Sequence, residues 1–569
     1  MAKKKSTKKT ATPRARWKTA PSPLGEGAGG EGALSTAAKR TAAKQPARKP
    51  AKKPAKQPAK AASPDAALPQ LRVRMYRQGL GDCFLLTFHV GADEKHMLID
   101  CGTLGATTTG VKIAQVVEDI RKTTNARLDL LVATHEHADH VNGFGRQQAA
   151  FAKFAPLGHV WLAWTENPDD PLAKTLAKNN RDLGAALAGA AAALDADGMS
   201  DASRAIGRDV RSLLGFFGEG EDVAAFGASD FAESVDAALK FVGHGLGVEP
   251  RYLMPGDGPL EEDWLPGFRF YVLGPPHDAA ALQNCGDDES AELYHVLSGL
   301  RAGAAYQLSG QDMASYARGL GAGQESAAFV REWPFDPRLC YGKDDARVRQ
   351  WFGDSYYAAS EHWRNVDEDW LGVASDLALQ LDSLTNNTSL VLAIERVADG
   401  KVLLFPADAQ EGNWLSWHSP NELTWNPTGA AGRAVTVSDL LARTVFYKVG
   451  HHASHNATAK GKGLELMKQE SELTAFIPVD RAVALTRNPQ GAWKMPARPL
   501  YRRLLEKCQG RVVRSDVGWA DDAANAKNRD TEKEFADMAT AAEWKTWKTS
   551  QDAATHVTVT DLFVDYLLD

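Results

Sequence analysis

From Leu71 onward, apolar and polar residues alternate along "LRVRMYRQ" as they do in a half-buried strand. "DCFLLTFHV" and "KHMLIDCG" follow as two more strands across a "GADE" turn. "GVKIAQVVEDIRKT" carries helical spacing, and "LDLLVAT" is the continuous apolar run of a buried strand. Three strands, a helix and a strand open one half of a layered α/β unit. From about 166 to 247 the pattern turns helical and Ala-rich, and strand signals return at "RYLMPG" and "FRFYVLGPP". A poorly patterned stretch, 278–350, precedes a helix predicted over "EDWLGVASDLALQLDSL". "TSLVLAIERVADGKVLLFPAD" predicts a hairpin. Strands are then expected at "TVFYKVG", "LTAFIPV" and "GRVVRSD", a helix at "ARPLYRRLLEKC", and one final strand at "THVTVTDLFVDYLL". No solenoid-type repeat interrupts this order. Two β-rich halves flanked by helices predict an αββα sandwich with helical insertions.

Ahead of Leu71 the pattern disappears. Residues 1–68 are Lys, Ala, Pro, Gly and Thr with almost no large apolar side chains, and such a segment cannot bury enough surface to offset its ordering entropy. A disordered tail is expected there. Charge sharpens the division: residues 1–70 hold 17 Lys/Arg against 3 Asp/Glu, a net of +14, so the whole-chain −6 leaves −20 on residues 71–569. The tail reads either as a polycationic arm for nucleic acid or as a solvated linker. At 569 residues, 44% hydrophobic and 24% charged, the chain has a globular composition and length for more than one structural unit. No apolar run reaches the roughly 18 residues that span a bilayer, and no apolar segment follows the basic N-terminus as in a secretory signal. Cys83, Cys101, Cys285, Cys340 and Cys508 are scattered without a CxxC pair. A reducing cytoplasm is therefore the expected compartment.

The candidate chemistry lies in "THEHADHVNGF", directly behind the apolar strand. Side chains alternate along an extended backbone, so His135 and His137 project to one side and can converge on one cation. Asp139 and His140 follow, placed by a turn to serve a second position nearby. Imidazole and carboxylate together suit Zn²⁺, with Mn²⁺ or Fe as the other options. Trp414, Trp417 and Trp425 read first as packing residues, with stacking on bases as the alternative.

HxHxDH after an apolar strand is the signature of the metallo-β-lactamase superfamily, and this chain resembles that family over most of residues 71–520. "RQGLGDCFLL" is similar to its opening turn in the form found in competence-type DNA-uptake proteins. "MLIDCG" resembles the strand that ends in an acid behind the ligands, here Asp100. "NNTSLVLAIE" with "GKVLLFPADAQ" is similar to the segment carrying the bridging carboxylate, which matches Asp408. "YKVGHHASHNAT" resembles the segment that supplies His451 and His452. The resemblance implies a four-layer αββα metallo-β-lactamase sandwich over 69–520, with helical insertions at about 166–247 and 278–385. A C-terminal extension, 521–569, would pack its final strand on the same domain. It also implies two divalent metal ions, zinc foremost: His135 and His137 on one, Asp139 and His140 on the other, Asp408 between them. His451 is expected as a further ligand and His452 as proton donor to the leaving group. Two positions depart from the pattern. Where a ligand histidine usually precedes the bridging-Asp strand, this chain has "TNNTS", so Asn386, Asn387, water or His277 must fill the place. Near the C-terminus Met495 stands where another histidine would be.

The chemistry follows from elementary grounds. Two cations about 3.5–4 Å apart can share a water, lower its pKa and neutralise charge developing on an electrophile, and Asp139 could orient or deprotonate that water. The expectation is a cytoplasmic metal-dependent hydrolase acting on a phosphodiester, with nucleic acid a candidate partner through the tail. Hydrolysis of an ester, thioester or lactam is the alternative within enzymes. A non-catalytic scaffold is the alternative outside them, against which stands the cost of keeping unused buried charges.

Overall fold

The computed structural model describes residues 68–569 apart from 106, 195–200, 219–232, 285–345, 354, 357, 359–371, 428–433, 487–492, 521–532 and 536–537. The tail expected over 1–68 lies outside the described residues except for Leu68, and so does most of the second insertion.

Nine strands in chain order build the first half and begin the second: β1 (Gln70–Tyr76), β2 (Phe84–Val90), β3 (Asp93–Ile99), β4 (Leu128–Ala133), β5 (Leu157–Ala163), β6 (Pro250–Leu253), β7 (Phe268–Gly274), β8 (Val391–Arg396) and β9 (Val402–Phe405). A short pair follows, β10 (Thr424–Trp425) and β11 (Val435–Thr436), then β12 (Thr444–Lys448), β13 (Thr474–Ile477), β14 (Val512–Arg514), β15 (Gly518–Trp519), β16 (Val557–Val559) and β17 (Phe563–Leu568). One eight-stranded sheet runs β16-β17-β1-β2-β3-β4-β5-β6, and a seven-stranded sheet runs β15-β14-β13-β12-β9-β8-β7.

The two sheets pack face to face because alternate residues of each strand are apolar on the inner side. In β4, Leu130 and Val132 join the core between the sheets, whereas Leu128, Leu131 and Ala133 join the core under the helices. Across the inner layer Phe88 meets Phe268 at 4.8 Å between ring centroids, Trp161 meets Phe270 at 5.1 Å, and Phe446 meets Tyr566 at 4.9 Å. Helices cover the outer faces, among them Ile113–Thr123 and Arg498–Lys507, which bury Val116, Val117 and Ile120, and Leu500, Leu504 and Leu505. The architecture is an α/β four-layer sandwich. Trp414, Trp417 and Trp425 are buried within it.

Two expectations change in detail. "THVTVTDLFVDYLL" forms two strands rather than one: β16 turns back antiparallel onto β17, and the Thr560 hydroxyl binds both the N–H and the carbonyl of Phe563 across the bend. β17 in turn pairs antiparallel with β1. The helix expected to stop before "TNNTS" continues as Gly372–Asn387, so both asparagines sit on its last turn. Arg396, at the end of β8, donates to the carbonyls of Pro69, Leu568 and Asp569 and fastens both ends of the described chain to the second sheet. Among the described residues no helix is long and apolar enough to cross a membrane.

Candidate metal centre

The site lies where β4 leaves the first sheet and β9 and β12 leave the second. After Ala133 the chain bends at His135 and Glu136 and is extended again at His137, whose carbonyl accepts from the His140 and Val141 amides and starts the helix Ala138–Arg146. Asp139 falls in the first turn of that helix, where the dipole favours an anion. The loop after β3 presses on this turn: Cys101 N donates to His140 O, and Gly143 N donates to Cys101 O. Gly102 permits the approach, since a Cβ there would overlap the Asp139 and His140 backbone. On the other side Leu390 N donates to Thr134 O, which seats the end of the helix Gly372–Asn387 beside the histidine motif.

Non-glycine residues in the left-handed region cluster here: Asp100 (φ 56°), Ala407 (48°), His451 (40°), His452 (49°) and Ala453 (63°). Each costs on the order of 1–3 kcal/mol unless the surroundings hold it. The adjacent histidines are thereby turned in different directions.

His140 and His452 are arranged alike. His140 Nδ1 lies 2.8 Å from Asp100 Oδ2, and Asp100 is itself held by the Thr134 N–H and hydroxyl. His452 Nδ1 lies 2.6 Å from Pro478 O. With Nδ1–H spent outward, each ring turns Nε2 towards acids. His140 Nε2 is 3.1 Å from Asp408 Oδ2 and 3.9 Å from Asp139 Oδ2. His452 Nε2 is 2.8 Å from Asp139 Oδ2 and 3.6 Å from Asp408 Oδ2. Lone pairs facing carboxylates need a cation or a proton between them. Burial works against a charged His140, yet Asp408, Asp82, Asp139 and Asp100 outweigh it and push its pKa well up; His452 is raised by Asp408 and Asp139 against the same burial. His140 Nε2 and Asp139 Oδ1 are buried without a hydrogen-bond partner. Orphaned ligand-type atoms on convergent, oriented imidazoles fit a transition metal.

His135 and His137 form a second convergence. His135 Nε2 lies 3.2 Å from His137 Nδ1. Burial and then the neighbouring imidazoles drive the His135 pKa well down. Burial sets that of His137 at about 3, despite the acids nearby. Both are neutral, as ligands must be.

His451 is placed differently from the expectation. Its ring faces the amides of Asn386 and Gln410, with Nε2 and Nδ1 each 3.4 Å from an amide nitrogen, while its backbone N–H donates to Asp408 Oδ1 at 3.0 Å. Burial lowers it to about 4. It is His452, the expected proton donor, whose nitrogen meets Asp139 and Asp408. The physical reason is the left-handed turn, which sends consecutive rings apart. Of the candidates for the missing histidine, Asn387 is consumed by structure: its amide donates to Leu282 and Asn284 carbonyls and its oxygen accepts from Gln410 N and Asn413 N. His277 is paired with Asp170 at 3.0 Å, with 40% of its side chain exposed. Met495 is buried, and its carbonyl accepts from Arg481.

Sequence reasoning missed three groups. Lys448, buried at the end of β12, donates to Asp82 Oδ2 (2.6 Å), Ala407 O (2.7 Å) and Asp408 Oδ1 (3.2 Å), and Asp82 and Asp408 keep it charged against its burial. Asp82, His140, Asp408 and His452 can each offer a ligand atom within 4.8 Å of the others. Asp82 nonetheless approaches both imidazoles from the Nδ1 side, at 3.8 and 3.9 Å, so it backs the cluster, whereas Asp139 faces its open nitrogens. The third is Asp382, whose Oδ1 is 3.8 Å from His137 Nε2. Phe216 and Phe217 of the first insertion close over His137, and Phe216 stacks on Trp493.

No curated protein matches the chain. Residues 76–182, from the end of β1 through the histidine motif, match the family described as the metallo-beta-lactamase superfamily. The matched segment carries β2 to β5 of the first sheet and the motif that supplies His135, His137, Asp139 and His140.

Proposed function

We propose that the protein is a metal-dependent hydrolase of phosphodiesters. The observation that carries the reading is the convergence of His140 Nε2, His452 Nε2, Asp139 Oδ2 and Asp408 Oδ2, each imidazole oriented by an outward hydrogen bond. Those four would hold one divalent ion, and His135 Nε2 with His137 Nδ1 would bind a second, with Asp408 between. His452 takes the ligand role and His451 stands as a neutral, hydrogen-bonding wall. Bound divalent ions would acidify a water and offset negative charge on the reacting centre. Asp139 Oδ1, which has no partner of its own, is the atom that would accept the attacking water's proton. Asp408 Oδ1 is held by Lys448 Nζ and His451 N, so only Oδ2 faces the imidazoles. The phosphodiester reading rests on the dispersed negative charge of its transition state and on the likeness of "NNTSLVLAIE" and "YKVGHHASHNAT" to the competence-type form.

Elemental analysis of purified and reconstituted protein, followed by turnover of a bis-aryl phosphodiester, a lactam and a thioester, tests this. Close to two transition-metal ions and chelator-sensitive cleavage of the phosphodiester are expected. His452→Ala should lower metal content and His451→Ala should not; the opposite result restores His451 as ligand. A protein that takes up no metal removes the hydrolase reading.

A further inference from the structure

The second convergence, His135 with His137, has two donors of its own and a third if Asp408 lies between the ions, where a transition metal takes four or more. The histidine that would complete it is absent, and the helix Gly372–Asn387 brings unused polar atoms beside it. Asp382 and Asn386 are one turn apart (i, i+4) and therefore share a helix face. Both are buried, Asn386 completely. The face is turned to the site: Asp382 Oδ1 is 3.8 Å from His137 Nε2, and Asn386 Nδ2 is 3.4 Å from His451 Nε2. Asp382 Oδ1, Asn386 Oδ1, Gln410 Oε1 and His137 Nε2 all lack a hydrogen-bond partner. Buried polar atoms left without a partner are destabilising, so four in one neighbourhood call for a ligand or a rearranged network.

Hydrogen-bond arithmetic says which of them is spoken for. A neutral imidazole donates at one nitrogen and accepts at the other, so His451 cannot accept from both flanking amides. Asn386 Nδ2 also donates to Asp382 Oδ2 at 3.2 Å, which fixes its NH₂ on that side and makes His451 Nε2 the acceptor. His451 Nδ1–H then faces the Gln410 amide nitrogen at 3.4 Å, and turning that amide end for end brings Gln410 Oε1 to it as acceptor. Asn386 Oδ1 is left over, and so is the pair His137 Nε2–H and Asp382 Oδ1. Since His137 Nδ1 faces His135, its Nε2–H needs an acceptor, and Asp382 Oδ1, 3.8 Å away, is the carboxylate oxygen on that side.

We propose that the helix Gly372–Asn387 completes the metal position of His135 and His137, Asn386 Oδ1 serving as a ligand and Asp382 as the positioning carboxylate for His137. This rests on the metal-binding reading above. An amide oxygen in place of an imidazole is a harder and weaker donor for zinc. The two positions are therefore unequal: the one with His140, His452, Asp139 and Asp408 fills first, and the one with His135, His137 and Asn386 fills second.

Metal-stripped full-length protein titrated calorimetrically with Zn²⁺ tests this without reference to turnover. Two events of different affinity are expected in the wild type. Asn386→Leu should abolish the weaker event and keep the tighter, which itself reports a folded site. Asn386→His should tighten the weaker event, and Asp382→Asn should weaken it by roughly 10–100-fold, the usual loss when the partner of a ligating histidine goes. In Co²⁺-loaded protein the visible spectrum of the second equivalent should change in Asn386→His. Two equivalent events in the wild type, or a weaker event untouched in both Asn386→Leu and Asp382→Asn, would overturn the proposal while leaving metal binding standing. Absence of any binding would overturn both.

Discussion

Asp408 accepts from Lys448 Nζ and His451 N on one oxygen and turns the other to His140 and His452. Burial resists its ionisation, but His140 and Lys448 hold its pKa well below the usual carboxylate range. Asp408→Asn keeps the shape and removes the anion, so cleavage should fall by about 10²–10³-fold, the scale of losing a main electrostatic contributor, with a cooperative melt retained. Unchanged turnover in the folded variant would relocate the second half of the site. Glu166 gives a test of a different kind. Burial and then the carboxyl of Glu136 push it up to about 8, against about 4.3 in an unfolded chain. The folded state thus binds this proton more tightly, so the stabilisation is full below about pH 4 and is lost as pH rises through about 8. Glu166→Gln should gain melting temperature relative to wild type as pH rises over that window, and a constant difference between the two would refute the assignment. HxHxDH is legible in the sequence because its residues are consecutive on one loop. Asp82, Lys448 and Asp382 are not, since each acquires its role only when distant segments meet. Lys448 left a trace as a single cation ending the otherwise apolar run "TVFYK", and Asp82 left one as the acid inside "RQGLGDCFLL".

At the scale of elements, strands with clear alternation, β1 to β5 and the β8–β9 hairpin, are legible, because a two-residue period dictates which side is buried. The β16–β17 turn is less so: "TDL" has Asp561 as its one bend-forming residue, with no glycine, proline or asparagine beside it. The end of the helix Gly372–Asn387 is hidden for a related reason, since two asparagines read as a stop but here continue the last turn and deliver Asn386 and Asn387 to opposite duties. The contact between the loop after β3 and the helix Ala138–Arg146 offers the sharpest test. Gly102 lies against Asp139 and His140 backbone atoms, which cannot move aside as a flexible side chain would. Gly102→Ala should destabilise the fold by at least the ~1–3 kcal/mol of core overpacking and reduce metal uptake with it, because both ligands ride on that turn. A variant that melts and binds metal like wild type would mean the loop and helix are not held as tightly as their hydrogen bonds indicate.

At the scale of the whole molecule, charge is divided against itself: +14 on residues 1–70 and −20 on the remainder. The described body carries its own two-sheet core, closed by β17 on β1 and by Arg396 on the carbonyls of Pro69, Leu568 and Asp569. Deleting residues 1–67 should leave the melting temperature and the turnover of a small chromogenic phosphodiester nearly unchanged. Binding of a long polyanion is another matter. An acidic body repels it, and the basic segment would release counterions on contact, so the deletion should weaken DNA binding most at low salt and flatten the dependence of log affinity on log salt. If the segment instead neutralises its own body, the full chain and the truncated one will differ little on DNA. Equal, weak binding by both across the salt series would leave the active-site chemistry as the sole argument for a nucleic-acid substrate. A steep slope confined to the full-length chain would give that substrate class a second support, independent of the metal centre.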